Sequence, residues 1–301
     1  MSRIPPGVPG LIPLVLLVIV GWLGVGSRRV REGLARRVGE RPVLALVPAL
    51  VLLQGVVLYE TIGGRYRFDE VLKAGGYWIA PLLLSGFRRR NPELVTWRDY
   101  AALVAFFLPV HMHWLGPRSD LLAEIIPAAS VPLAMFYLVV VRGLPEPGFT
   151  FRWTWADVGI GLQCFLVFGA VAIPLALSLG FAEFHFGWSR VARYPDIFLT
   201  VLVGVAVPEE LIFRGFLQSC LETTFRSRTK GLVVASLLFG ASHWNHFEPL
   251  PNWRYVVLAS LAGIAYGYAY RVQRRLPAAS LTHALTDVTW YLFFLKKLTR
   301  T

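Results

Sequence analysis

The stretch VPEELIFRGF, Val207 to Phe216, sets Glu209, Glu210 and Arg214 inside a run that is otherwise apolar. Two later apolar runs carry His243, in LLFGASHWNH, and His283 with Asp287, in LTHALTDV. Glu210 and Arg214 are four residues apart, as are His283 and Asp287, so on helices each pair shares one face. Glu209 lies about 100° round the helix from Glu210. A glutamate in a water-poor pocket suits a general base on water, and a neighbouring imidazole can share the proton. A second histidine can donate to the oxyanion of a tetrahedral intermediate. Glu209, His243 and His283 are equally ordinary zinc ligand types, and a zinc with an open fourth position activates the same water. No HExxH pair is present, so a metal would draw its ligands from separate helices. The residue types leave both mechanisms open, with zinc or no cofactor at all.

Such residues need a reason to stand where they do. A charge near the centre of a membrane-spanning helix costs about 2.5–3.5 kcal/mol on insertion scales, so ionisable groups there are offset by partners or a wet cavity. The plainer alternative is a buried ion network that merely fixes one helix against its neighbours. Three helices that deliver Glu, His and His with Asp to one level favour a site. Taking ~1.5 Å per residue from the nearest basic loop, Glu209 and His243 lie roughly 20 Å into the membrane and His283 and Asp287 roughly 12–18 Å.

The setting follows from composition. Of 301 residues 55% are hydrophobic and 16% charged, with mean hydropathy +0.56, which describes an integral membrane protein. Apolar runs recur at Leu11–Val25, Val43–Tyr59, Ala74–Phe87, Tyr100–Leu115, Leu122–Val141, Val158–Ala182, Ile197–Leu217, Leu232–Trp244, Tyr255–Tyr270 and Ala278–Leu295. Most approach the ~20 residues that cross the hydrocarbon as helix, and Ala74–Phe87 and Leu232–Trp244 are short enough to be re-entrant. The expected fold is all-α, a polytopic transmembrane bundle of about 8–10 helices. It forms a single integral membrane domain over 1–301, with N-terminal helices in 1–195 and a catalytic core in 196–296. Pro208 is expected to open a helical segment at Glu209.

Net charge is +12, yet the basic residues sit in short loops between apolar runs, which speaks for topology and against nucleic acid. With ten crossings, the arginine-rich loops after the first, third, seventh and ninth runs face the cytoplasm and both termini lie outside, with Lys296, Lys297 and Arg300 on the less expected side. The arginines between Arg28 and Arg41 are read as a loop that touches anionic headgroups. The N-terminal run is read as a retained helix, since SRRVREGLARR stands where a cleavage site is expected. Cys164 and Cys220 read as small core residues. His111 and His113 of HMH read as interfacial packing. Asn245 and His246 read as a solvated helix end or the mouth of a cavity. FHFGW, Phe184 to Trp188, reads as an aromatic belt or a short lid.

PEELIFRGFLQ resembles the EExxxR motif, FGASH the FxxxH motif and HALTD the HxxxN/D motif of the CPBP intramembrane protease family, which includes the CAAX prenyl endopeptidases and bacterial Abi-type proteins. The resemblance covers Ile197 to Leu295, with the three motifs in order on successive helices. It implies a helical membrane protease that hydrolyses peptide bonds of membrane-associated proteins or peptides. By this likeness Glu209 activates water, His243 assists, Glu210 and Arg214 support, and His283 with Asp287 form the oxyanion site or, in the older reading, bind metal. Asp287 stands where the prenyl-protein members carry asparagine, and an ionised carboxylate cannot donate to an oxyanion. Asp287 is then protonated, orients His283, or touches a metal or water. The expected partners are membrane lipids and a membrane-bound substrate, prenylated or not, and the arginine- and alanine-rich composition suggests a bacterial inner membrane. The competing class is an ion- or proton-coupled transporter, or a non-proteolytic scaffold or immunity protein. Paired half-repeats with broken helices, common in transporters, are not seen.

Overall fold

The computed structural model describes residues 8–62, 68–87, 91, 94–112, 114, 121–246 and 250–296. These divide into two compact units, residues 1–146 and 147–301, each treated by itself.

The first unit contains α1 (Val8–Gly26), α2 (Arg28–Glu40), α3 (Val47–Ile62, entered through a 3₁₀ turn at Pro42–Leu46), α4 (Phe68–Ser85), α5 (Trp97–His111) and α6 (Leu121–Ala134), which continues as π turns over Met135–Val141. The second contains α7 (Trp155–Ser178), β1 (Ala182–Phe184), a short helical turn at Trp188–Val191, α8 (194–225), α9 (Arg228–Ala241), α10 (Trp253–Gln273), α11 (Leu276–Phe293) and β2 (Phe294–Lys296). Among the described residues each of the ten apolar runs falls largely within a helix, and the chain is an all-α helical membrane protein. Among the described residues, Pro42–Ile62 and Trp155–Ser178 are each long and apolar enough to cross a membrane, and Ile12–Gly26 with Arg28–Glu40 form a further candidate pair bent by 95°. The only strands described are β1 and β2. They pair antiparallel, with Ala182 opposite Lys296 and Phe184 opposite Phe294.

Local sequence explains where helices start. Thr96 and Asp99 close a capping box at the head of α5, and Thr154 and Asp157 close another on α7, so the first free N–H groups are satisfied reciprocally. Both α8 and α10 stop at an arginine in the left-handed region, Arg226 at φ 50° and Arg274 at φ 53°.

Two expectations need correction. The arginine-rich stretch after α1 is not a loop: it forms α2, an amphipathic helix with Val38 buried and Arg28, Arg29, Arg36 and Arg37 exposed. Arg31 turns inward instead of toward headgroups and makes two hydrogen bonds to the Glu146 carboxylate, at 3.0 and 2.8 Å. Pro208 does not open a helix. It lies inside α8, whose backbone stays helical from Tyr194–Val201 through Ser219–Phe225, with wide π turns at Leu202–Ala206 and Leu211–Gln218 on either side. A proline lacks the N–H of an ordinary helical bond and crowds the preceding turn, and π turns absorb that defect without a break. FHFGW begins as the last residue of β1, with Phe186 stacked on Phe293 at 6.0 Å.

The α9–α10 contact runs antiparallel, since Gly240 faces Val256 and Ser260 while Ser236 faces Gly263. The backbones approach so closely that a Cβ on Gly240 would fall 2.6 Å from the Val256 carbonyl oxygen and closer still to Ser260 Oγ. Close approach of small residues is a usual basis of helix packing in membranes. Gly240→Ala is therefore expected to lower stability by about 1–3 kcal/mol, the usual cost of overpacking, read as an earlier thermal transition of the purified protein.

Candidate active site

All six motif residues lie in the second unit. Glu209 and Glu210 sit on the short α-helical turn Val207–Glu210 between the two π segments of α8, and Arg214 follows on the wide turns. His243 lies just past α9, in the turn after Ala241. His283 and Asp287 are on α11.

Glu210 is the hub of the polar contacts. One carboxylate oxygen accepts from Arg214 Nε at 3.0 Å, and the other lies 2.9 Å from His283 Nδ1. An ionised carboxylate only accepts, so Nδ1 carries the proton. His283 Nε2 in turn lies 3.5 Å from Asp287 Oδ2. The helix-face pairings expected within α8 and within α11 are therefore both present, and the Glu210–His283 contact joins the two helices.

His243 is oriented separately. Its Nδ1 lies 2.7 Å from the Phe239 carbonyl oxygen, an acceptor, so this nitrogen donates and Nε2 is the basic atom of the neutral ring.

Exposure sorts the groups by what can reach them. Glu210 and Arg214 are fully buried, His283 is 3% and His243 8% exposed. Glu209 is half-buried and the Asp287 side chain is 39% exposed. The two carboxylates within reach of a ligand are thus Glu209 and Asp287, while Glu210 is sealed in as a brace.

An aromatic frame surrounds these groups, and no local pattern in the chain cues it. Tyr266 of α10 stacks on His283 at 4.6 Å and 16°. Phe239 presents its ring to His283 edge-on at 5.9 Å, touches His243 at 4.8 Å, and carries the Arg214 guanidinium 4.7 Å from its centre. Tyr255 and His246 flank His243 at 4.8 and 5.4 Å, so His246 is part of the wall and not a solvated helix end. Aromatic residues in apolar runs look like packing, and only the third dimension shows which ring touches which imidazole.

Zinc fits this arrangement poorly. Among the described residues no three His, Cys, Asp or Glu side chains come together as a metal-holding group, and the expected set Glu209, His243 and His283 does not assemble as one. Elsewhere, Cys164 and Cys220 are buried thiols, as expected. His111 is buried and packs on Phe107 at 4.1 Å, while His113, Arg88–Arg90, Lys297 and Arg300 lie outside the described residues.

Residues 192–289 match the family model described as Rce1-like, type II CAAX prenyl endopeptidase. The segment is similar to the type II CAAX prenyl endopeptidases over those residues. All six motif residues fall inside the matched segment, as do Phe239, Tyr255 and Tyr266. No curated protein and no solved structure matches the chain.

Proposed function

We propose that the protein is an intramembrane endopeptidase in which Glu209 takes a proton from water, His243 assists through Nε2, and His283 stabilises the oxyanion. The observation that carries this reading is the bracing of His283 by Glu210, which fixes one ring nitrogen and leaves the other at the exposed end of the cluster. Because Nδ1–H is committed to Glu210, His283 donates from Nε2 only as the imidazolium. Glu210, Arg214, His283 and Asp287 then sum to no net charge, which makes a protonated ring tolerable in a water-poor site. Asp287 acts as counter-ion and aligner of His283, which accounts for a carboxylate where a direct donor is expected.

The substrate in this proposal is a membrane-associated protein or peptide, held where its scissile carbonyl reaches His283. The arginine- and alanine-rich composition supports a bacterial inner membrane as its location. The decisive experiment is cleavage of membrane-peptide substrates by the purified chain in lipid, with and without a zinc chelator. His243→Ala is expected to lower the rate about 10²–10⁴-fold, the usual contribution of a general acid–base group, and the chelator to leave wild type unchanged. Full activity in His243→Ala would sink the proposal, and loss of wild-type activity on chelation would replace glutamate-activated water with a metal mechanism.

Tyr266 supplies a sharper check on the framing of His283. Tyr266→Leu removes the stacked ring and is expected to reduce kcat about 10–100-fold with little change in KM, since misplacement of a reacting group by about 1 Å is costly. Tyr266→Phe keeps the ring and should restore most of the rate.

A further inference from the structure

Glu210, Arg214, Gln218 and Glu222 follow one another at four-residue intervals along α8. In a regular α-helix such a row drifts by about 40° per step. The π turns over Leu211–Gln218 rotate less per residue, which holds the row closer to one bearing. Glu210, Arg214 and Gln218 are fully buried and Glu222 is 7% exposed.

Hydrogen bonds link this row at both ends. At the upper end His283 meets Glu210, and Glu210 accepts from Arg214 Nε. At the lower end Gln218 Nε2 donates to Glu222 Oε1 at 3.0 Å and toward the Gly267 carbonyl at 3.4 Å, and Glu222 Oε2 accepts from Arg274 Nη2 at 2.6 Å. The Arg274 side chain is 40% exposed, so the lower end reaches solvent. Two acceptors on Nε2 fix the orientation of the Gln218 carboxamide, with Oε1 as its remaining polar atom.

In the middle, the unsatisfied atoms are complementary. Arg214 Nη1 and Nη2 are buried donors without a hydrogen-bond partner, and Gln218 Oε1, one turn away, is a buried acceptor without one. The rings of Phe239, Tyr266 and Phe213 at 4.7, 5.8 and 5.8 Å give the guanidinium cation–π contact but accept no N–H in the plane of the fork. Leaving such groups unpaired in a water-poor interior is unfavourable. Buried polar groups of this kind are the usual ligands of internal water.

We propose that Arg214 and Gln218 bind an internal water molecule, which accepts from the guanidinium and donates to Gln218 Oε1. The water closes a continuous hydrogen-bonded file from His283 through Glu210, Arg214, Gln218 and Glu222 to Arg274 at the surface. The file holds the Arg214 fork, and through it the Glu210 carboxylate, in place from below. This hydration site is independent of whether the protein cleaves peptides.

The test is a structure of the full chain in lipid at a resolution that shows ordered water, joined to X-ray hydroxyl-radical footprinting. The expected result is a solvent peak within hydrogen-bond distance of both Arg214 Nη and Gln218 Oε1. Phe239 and Tyr266 should be labelled despite their burial, and Gln218→Leu should lose that labelling. A direct Arg214–Gln218 hydrogen bond with no solvent between them overturns the proposal, as does identical labelling in wild type and Gln218→Leu. The wild-type structure decides the matter even if the variant does not fold, and neither readout depends on cleavage.

Discussion

Glu209→Gln is expected to reduce peptide cleavage by about 10²–10⁴-fold, the range typical of a lost general base, while leaving the fold intact. Glutamine keeps the size and shape of the side chain but cannot take a proton from water at neutral pH. The position is half-buried, so the substitution exchanges a carboxylate for a neutral isostere without opening a cavity. The neighbouring substitution, Glu210→Gln, is a useful contrast. Glu210 is fully buried and accepts from both Arg214 and His283, so its loss leaves a buried guanidinium without its carboxylate. Cleavage assays paired with thermal unfolding separate the two: Glu209→Gln should lose rate at unchanged transition temperature, and Glu210→Gln should lose both. A Glu209→Gln protein that cleaves at the wild-type rate would remove Glu209 from the chemistry.

Asp99→Ala is expected to destabilise the first unit by about 3–5 kcal/mol, the penalty for removing one partner of a buried ion pair. Asp99 and Arg142 are both fully buried. The Arg142 Nε lies 2.7 Å from Asp99 Oδ1 and Nη2 lies 3.1 Å from Oδ2, a two-point contact. Arg142 Nη2 also donates to the Leu94 carbonyl at 2.6 Å, and Asp99 Oδ2 accepts from the Thr96 backbone N–H at 2.8 Å. One carboxylate therefore caps α5 and neutralises an arginine 43 residues away. Removing it uncaps the helix and strands a positive charge in the interior. The double substitution Asp99→Leu with Arg142→Leu removes both charges and is expected to recover a large part of the loss, because apolar replacement of a whole buried pair is often neutral. Thermal or denaturant unfolding of the three proteins measures the difference, and an Asp99→Ala transition equal to wild type would show that the pair contributes nothing.

The helices were legible because lipid favours long apolar helical runs, and each of the ten apolar runs carries a helix even where, as at Ala74–Phe87 and Leu232–Trp244, it falls short of a full span. The pairings inside one helix were legible too: Glu210 with Arg214 and His283 with Asp287 follow from four-residue spacing. What was hidden lies across the sequence. Glu210 meets His283 over 73 residues, and Arg31 meets Glu146 over 115, and no local pattern encodes either contact. Helix α2 was hidden because an arginine-rich stretch shows few apolar residues, although Val38 and Arg31 share its buried side. Tyr266 and Tyr255 were hidden for the opposite reason, since an aromatic ring in an apolar span carries no mark of the imidazole beside it.

The π turns of α8 have a hereditary consequence. A helix that contains them holds more residues per unit length than a tight one, so it carries slack. Loss of one codon between Leu211 and Gln218 would leave a span that is still apolar, still helical and better hydrogen-bonded. Relaxing one wide turn to an ordinary one takes up about one residue, so the two ends of α8 would keep roughly their bearings while Arg214 and its neighbours between them shift. Such an allele would make a membrane protein of normal appearance, and alignments of related chains that gap this helix should therefore place the gap within Leu211–Gln218.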